Sequence, residues 1–257
     1  DMSFSVSVKD STIEYGGKGF NALFAKKNNL FNFNFIKMIY EIISFYKTAP
    51  ILLNKDTKNL TLGNYLNNSK LSKYFINYHI IPMVAAIWSM PFSKAKDIPL
   101  ELFLNFFNNH GLFKLKNRPQ WYTVTNRSKT YVSKILKKIS GNYFKNYKVN
   151  KIIRNNYNVR LFINSLQDYL DYDQVVLSCH ADESLQLIEN PSIEEKEILN
   201  EFTYISNSAC LHTDNDLMPD KMNAWSSWNS ISKRDLSKTC VTYWLNKLQN
   251  LKTKENY

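Results

Sequence analysis

The sequence predicts an α/β protein, and three features carry that prediction. An apolar/serine alternation opens the chain, helical spacing runs through most of the first 110 residues, and short apolar runs of strand length follow. With 44% hydrophobic residues and only 6 Gly and 7 Pro in 257, the chain can build a sizeable core from long elements, which excludes disorder and a collagen-like or low-complexity build.

The elements follow in order. Phe4, Val6 and Val8 alternate with Ser3, Ser5 and Ser7, the period of a half-buried strand, and Asp10-Ser11 turns it toward a second strand at residues 13–15. Ile36, Ile39, Tyr40, Ile43 and Tyr46 keep helical spacing until Pro50, with Asn32 or Asn34 as N-cap. Thr61 caps a short helix through Leu66. A third helix starts near Ser72 and is expected to kink or stop around Ile81, because Pro82 lacks a donor and clashes with the preceding turn. A fourth covers residues 100–109 and closes on Gly111 in a left-handed conformation.

Beyond it the pattern reads as strands at 112–116 and 121–125, a helix over 128–139 closed by Gly141, and strands at 149–153, 159–163 and 174–179. The last is a continuous apolar run suited to a strand covered on both faces. Ser192 and Glu195 form a capping box for a helix through Phe202, residues 207–212 read as a strand, and 241–251 as a terminal helix or strand. No internal repeat occurs.

Lys and Arg total 33 against 22 Asp and Glu, a net charge of +11. Only five of these cations are Arg (Arg118, Arg127, Arg154, Arg160, Arg234), and the Lys and Asn bias has the look of AT-rich codon usage. Bidentate readout of phosphate or guanine relies on Arg, so a nucleic-acid partner is not expected. Cys179, Cys210 and Cys240 form no C-x-x-C and no secretory segment opens the chain, so a reducing, cytoplasmic location is the default. The apolar stretches at 75–90 and 100–107 are interrupted by Asn77, His79, Pro82 and Asn105 and fall short of the ~20 residues a membrane span needs. The chain opens on Asp1 and not on Met, and is expected to be a fragment.

Four local patterns could carry chemistry. Gly17-Lys18-Gly19-Phe20-Asn21-Ala22, with Glu41 downstream, has the spacing of a dinucleotide-binding turn, but the strand before it alternates where such a strand should be buried, and Lys26-Lys27-Asn28-Asn29 soon follows. His212-Thr213-Asp214-Asn215-Asp216 gathers one imidazole and two carboxylates, as a metal site or a plain Asx turn would. Cys179-His180-Ala181-Asp182 suggests a nucleophile, yet neighbours on one strand point to opposite faces; Cys179 reads better as a small buried residue and Asp182 as an N-cap. His110, Trp121 and Tyr122 could line a ligand pocket or pack as core.

Longer runs say more. Met2-Ser3-Phe4-Ser5-Val6-Ser7, Leu23-Phe24-Ala25, Pro82-Met83-Val84-Ala85-Ala86-Ile87-Trp88-Ser89, Asn109-His110-Gly111-Leu112 and Arg118-Pro119-Gln120-Trp121 are followed by Tyr172-Asp173-Gln174-Val175-Val176-Leu177-Ser178-Cys179-His180-Ala181-Asp182. Leu211-His212-Thr213-Asp214, Leu217-Met218-Pro219, Trp225-Ser226-Ser227-Trp228-Asn229 and Val241-Thr242-Tyr243-Trp244 complete the series. Together they resemble a bacterial family of NAD/FAD-binding oxidoreductases in the flavin-containing amine oxidase superfamily, from end to end of this chain.

The resemblance implies a two-domain α/β fold, present here as its middle region without the N-terminal Rossmann segment or the C-terminal flavin segment. It assigns residues 118–182 to the flavin domain, and 1–117 and 183–257 to the substrate domain. It implies FAD as cofactor, with Val149 contacting the adenine through its backbone and the strand through Cys179 and Ala181 ending near the dinucleotide. Where the family has Gly-Gly before the helix at Ser128, this chain has Asn126-Arg127, so no tight backbone approach is expected there. The strand carrying His212 lies where amine oxidases place a flavin-facing Lys; no Lys occurs on it, which leaves His212 as the candidate substrate-side polar group. The implied activity is hydride transfer from a C–H bond of an apolar, lipid-like substrate to flavin, with His110, Trp121 and Tyr122 lining the pocket. The alternative from another class is a basic, non-enzymatic module that binds anionic lipid or nucleic acid through its Lys excess.

Overall fold

The computed structural model describes residues 2–164, 168–234, 236 and 239–257. The chain divides into two compact units: Asp1–Thr123 with Asn207–Tyr257, and Val124–Ser206. These boundaries differ from the expected ones after 117 and 182, because the two helices that follow residue 180 pack on a strand of the second unit and on each other.

In the first unit β1 (Phe4–Val8) pairs antiparallel with β2 (Glu14–Gly16) and parallel with β6 (Trp228–Ser232), which pairs antiparallel with β7 (Thr239–Tyr243). The order is β2-β1-β6-β7. The expected hairpin is present, but its serine face is not solvated: Ser5 and Ser7 are as buried as Val6 and Val8. A buried polar face must be hydrogen-bonded, and this one is. The Ser5 hydroxyl donates to Asn229 Oδ1 at 2.7 Å and Ser7 to Glu14 Oε2 at 2.8 Å. The segment from Leu217 to Ala224 roofs this face. Backbone N–H groups of Asp220 and Lys221 donate to the Glu14 carboxylate at 3.0 and 2.7 Å, and the Thr242 hydroxyl donates to the Leu217 carbonyl at 2.8 Å. Gly16 is needed for the close approach, since a Cβ there would stand 2.9 Å from the Ala224 carbonyl oxygen.

Val6, Val8, Ile13 and Tyr15 point the other way, into a helical core. A four-residue α1 (Phe20–Leu23) precedes α2 (Phe33–Thr48), whose N-cap is Asn32. Thr61 and Asn64 make a capping box for α3 (Leu62–Asn68), and α6 (Leu100–Asn109) ends before Gly111 at φ 64°. Leu112 and Phe113 then pack into the helical core in place of the strand expected at 112–116, and the one expected at 121–125 is absent as well. The terminal segment is both readings in turn: β7, then α10 (Leu245–Leu248).

The second unit contains α7 (Ser128–Leu136), the antiparallel meander β3 (Val149–Arg154), β4 (Val159–Ile163) and β5 (Asp168–Tyr172), then α8 (Ala181–Leu187) and α9 (Ile193–Asn200). The capping box of Ser192 and Glu195 forms as expected. Little is buried: Ile152, Ile163 and Ser184 are the fully enclosed residues among those described. The apolar run at 174–179 forms no strand, and Val176 is 88% exposed. A strand buried on both faces needs a ladder partner, and the meander ends at β5 without offering one. The strand expected at 207–212 is likewise absent.

The helix expected to kink or stop around Ile81 does not stop there, and its irregularity is a widened turn. From its Ser72 cap, α4 (Lys73–Phe75) runs through a π-helical turn (Ile76–Ile80) into α5 (Ile81–Trp88), which carries Pro82 in its first turn. In an α-helix the missing Pro82 N–H would have served the Tyr78 carbonyl. That carbonyl takes its proton from the Tyr15 hydroxyl, at 2.8 Å. Having given its only proton away, Tyr15 Oη accepts from His79 Nδ1 at 2.9 Å, so His79 Nε2 is the acceptor for the Tyr46 hydroxyl, also at 2.9 Å. The chain Tyr46→His79→Tyr15→Tyr78 carbonyl satisfies every buried polar atom in it.

Burial, with a smaller contribution from Arg118, pushes the His79 imidazole down to about 3, while burial pushes both tyrosine hydroxyls up. The unfolded chain therefore binds a proton at His79 below about pH 6.5 that the folded chain refuses until about pH 3. Stability should fall through this window as pH drops, by roughly a kcal/mol per pH unit, the slope for one proton. His79→Gln, which can donate and accept at the same two sites, should flatten that slope in urea unfolding series; an unchanged slope would mean the ring is protonated in the fold. Tyr15→Phe leaves the Tyr78 carbonyl and His79 Nδ1–H without partners and should cost about 2–4 kcal/mol in the same measurement.

Candidate functional site

The residues the sequence singled out fall into three neighbourhoods. In the second unit Val149 opens β3, half-buried, with Ile163 as its ladder partner. On the opposite edge, β3 carries a single parallel bridge, Ile152 to Ile188, and the Glu189 N–H donates to the Ile152 carbonyl at 3.0 Å. Cys179 is exposed, not buried as its surroundings suggested, with its Sγ 3.2 Å from Ser184 Oγ. His180, and not Asp182, occupies the N-cap of α8, because its extended backbone starts the helix two residues earlier. The His180 ring stacks on Tyr204 with centroids 4.2 Å apart, and the Tyr204 hydroxyl accepts the Ala181 N–H at 2.9 Å.

In the first unit the structure brings His110 and Trp121 together. Their rings stack 5.3 Å apart at 4°, and the other face of His110 lies on Phe106 at 3.9 Å. The His110 Nδ1 sits 2.8 Å from the Phe106 carbonyl, which fixes the proton on that nitrogen. Trp88 continues the row against Phe106, so four rings from α5, α6 and the loop after Gly111 form one partly open shelf. Tyr122 is exposed and outside it.

His212 stands apart, half-buried in a turn. Its Nδ1 accepts the Asp214 N–H at 3.2 Å, and Asp214 Oδ1 accepts the Asp216 N–H at 2.9 Å. The ring therefore carries its proton on Nε2. Trp121 stacks on His110 and not on His212. Among the described residues no three His, Cys, Asp or Glu side chains gather as metal ligands.

The glycine pattern at 17–19 does not make a dinucleotide turn: β2 before it is a hairpin strand and α1 after it has four residues. Glu41 is buried on α2, where its carboxylate accepts the Ser72 N–H at 2.9 Å and the Ser72 hydroxyl at 2.5 Å. It holds Ser72, the N-cap of α4, and is not free for a ribose. Of the five arginines, Arg154 is bidentate to Glu195 at 2.7 and 2.9 Å and Arg160 to Asp171 at 2.8 and 3.0 Å, which removes them from phosphate recognition.

Among the clefts of the first unit, two are lined by both aromatic and basic residues. One, of about 630 Å³, is lined by Tyr74, Tyr78, Lys26, Asp220 and Arg234 among others. Asp220 bonds Lys9 at 2.6 Å and Lys26 at 3.3 Å, and hydrogen bonding from these lysines, Lys9 foremost, holds its carboxyl below the usual range. The other, about 500 Å³, lies beside α2 between Tyr40, Tyr65 and Leu71, with Lys37 and Lys70 also lining it. Neither was legible in the sequence, since the residues come from segments far apart in the chain. Pro82 within a helical run was the one available signal for the Tyr15–His79 pair.

The strongest local anomaly precedes α7. Asn126 has φ 61°, and Arg127 has φ 70° with ψ −174°, a combination natural to glycine and strained for any other residue. Asn visits the left-handed region readily, whereas Arg does not. Compared with family models and with curated proteins, the chain matches none. Arg127→Gly should release the strain and raise the stability of the second unit by about 1 kcal/mol, against the loss of similar size that Lys129→Gly inside α7 should cause. Thermal melts of the two variants decide it: a lowered midpoint for Arg127→Gly would show that the turn is not strained.

Proposed function

We propose that the chain is part of an FAD-dependent oxidoreductase that takes a hydride from a C–H bond of an apolar, lipid-like substrate. The turn before α7 supports this reading most. Its backbone at Arg127 has the glycine conformation that the family resemblance, with Gly-Gly at this place, requires. A second support is the assembly of quoted segments that lie far apart in the sequence. Met2 to Ser7, Leu217 to Pro219, Trp225 to Asn229 and Val241 to Trp244 meet in one sheet and its roof.

The residues present fit one end of FAD. At Val149 the outer edge of β3 has no strand partner among the described residues, so backbone groups there are open to an adenine ring. They do not fit the pyrophosphate, because the only glycine pair with the spacing lies in a hairpin and the Ala181 N–H is already bound to Tyr204. FAD, when bound, supplies the hydride acceptor. The chain's own share is orientation and exclusion of water. His110 is clamped between two rings and cannot swing, and His212 offers an Nε2–H donor to a polar substrate group.

The 257-residue chain alone, without a pyrophosphate turn, should not hold FAD stoichiometrically; the test is the flavin content of the whole oxidoreductase of which the chain is proposed to be part, isolated as its cell makes it. Near-stoichiometric FAD released on acid denaturation is expected, and a colourless protein that releases none overturns the reading. In the flavin-loaded protein, His212→Ala should slow flavin reduction by about 10²-fold with an unchanged melting temperature, the scale for losing a positioned polar group. An unchanged rate with a lowered melting temperature would assign the ring to the Asp214 turn alone.

A further inference from the structure

α2 is apolar on both faces, and only one of them is used. The helical repeat puts Phe35, Met38, Ile42 and Phe45 toward the core, where Phe35, Met38 and Phe45 are fully buried. It puts Phe33, Ile36, Tyr40 and Ile43 on the opposite side, and all four are exposed, Phe33 by 79% and Tyr40 by 72%. Phe31, just before the helix, is 92% exposed. Monomeric surfaces rarely carry so dense an apolar stripe without a use for it.

The charges around the stripe say what covers it. From Tyr15 to Lys55 the chain holds six lysines (Lys18, Lys26, Lys27, Lys37, Lys47, Lys55) and one carboxylate, Glu41. Glu41 is buried and bonded to Ser72, so some forty consecutive residues present no exposed acid. Lys27, Lys37 and Lys47 are exposed and have no carboxylate partner among the described residues, and Lys47 lies one turn beyond Ile43 on the apolar stripe itself. The 500 Å³ cleft beside α2 joins Tyr40 to Lys37 and Lys70, and the carboxylate that also lines it, Glu41, is turned to Ser72, so two cations face one engaged acid. A second copy of this face would bring the same lysines against each other, which disfavours a symmetric dimer.

We propose that this face docks on an anionic bilayer, with α2 lying in the headgroup plane, Phe31, Phe33 and Tyr40 in the acyl boundary and Lys27, Lys37 and Lys47 on the lipid phosphates. Apolar area and cationic attraction add in that geometry, and α2, with 16 residues, is an interfacial and not a spanning helix. The inference stands independently of the flavin reading.

The test is flotation with vesicles of phosphatidylcholine alone and of equimolar phosphatidylcholine and phosphatidylglycerol. The protein should float only with the second and be released by salt. Lys27→Glu/Lys37→Glu/Lys47→Glu should weaken partitioning by about 100-fold, at about fivefold per lysine. Phe31→Ser/Phe33→Ser/Tyr40→Ser should do the same with no change in melting temperature, whereas Lys252→Glu/Lys254→Glu, exposed lysines of the same unit beside Glu255, should change it by less than about threefold. On the unaltered protein, vesicles should shield Lys27, Lys37 and Lys47 from acetylation and leave Lys252 and Lys254 reactive. No flotation, equal loss in the Lys252 set, or equal reactivity of all these lysines overturns the proposal. So does a dimer in sedimentation velocity that Phe31→Ser/Phe33→Ser/Tyr40→Ser converts to monomer, which would give the face to a second copy.

Discussion

Two neighbours on β2, Glu14 and Tyr15, fasten the first unit in opposite directions. Successive strand residues point to opposite faces, so one side chain enters the roof over the polar face and the other enters the helical core. Glu14 accepts the Asp220 and Lys221 N–H groups and the Ser7 hydroxyl, and that arrangement holds the Leu217 to Ala224 segment against the sheet. Tyr15 supplies the proton that Pro82 withholds from the helix, and through His79 it ties β2 to Tyr46 on α2. Both residues are fully enclosed, so any gap in either set of bonds would leave an unpaired polar atom in a water-free place, and that cost is what selects one arrangement.

The π-helical turn follows from the same constraint. A proline inside a helix leaves one carbonyl without a donor and pushes its ring toward the previous turn; widening that turn makes room for the ring, and an external hydroxyl satisfies the carbonyl. The widened turn also aims His79 between Tyr15 and Tyr46, with Phe75 packed on its ring at 5.5 Å. A helix that local rules would kink or end around Ile81 widens there and continues to Trp88, with a hydroxyl from the first hairpin satisfying the freed carbonyl. Trp88, in turn, carries the aromatic shelf of Phe106, His110 and Trp121, so the candidate substrate-side rings depend on that hydroxyl at one remove.

What was legible in the sequence was what is decided locally. Asn32, Thr61 and Ser192 cap the helices they were expected to cap, a helix starts at Ser72, and Gly111 takes its positive φ, because such signals act within four residues. Pairing is not local. No strand is expected at β6, Trp-Asn-Ser-Ile-Ser, and it is Ser5, Ser226 and Thr242 around it that turn its Asn229 into a buried crosslink. The run at 174–179 errs in the other direction, since its apolar residues specify burial only where neighbouring strands exist to provide it. Of the candidate site, the pairing of His110 with Trp121 could be anticipated from their nearness in sequence, whereas the strain at Arg127 is invisible until the backbone is seen.

The same distinction between amount and placement applies to charge. A codon bias toward Lys raises the number of cations throughout a chain, and the five scarce arginines, two of them in bidentate pairs with carboxylates, argue against phosphate reading by guanidinium. A longer run without acids spans residues 102–167, so a lack of acids does not by itself single out α2; what does is the pairing of its lysines with exposed Phe31, Phe33 and Tyr40. In the second unit, cations meet carboxylates, as Lys151 meets Glu189 and Arg154 meets Glu195. Along α2 they meet exposed phenylalanines and a tyrosine. A lysine stem is itself apolar and its ammonium reaches outward, so lysines among exposed aromatics extend an apolar surface and crown it with charge. Water solvates that crown well and the aromatic rings poorly, and an anionic lipid surface is a medium that satisfies both at once.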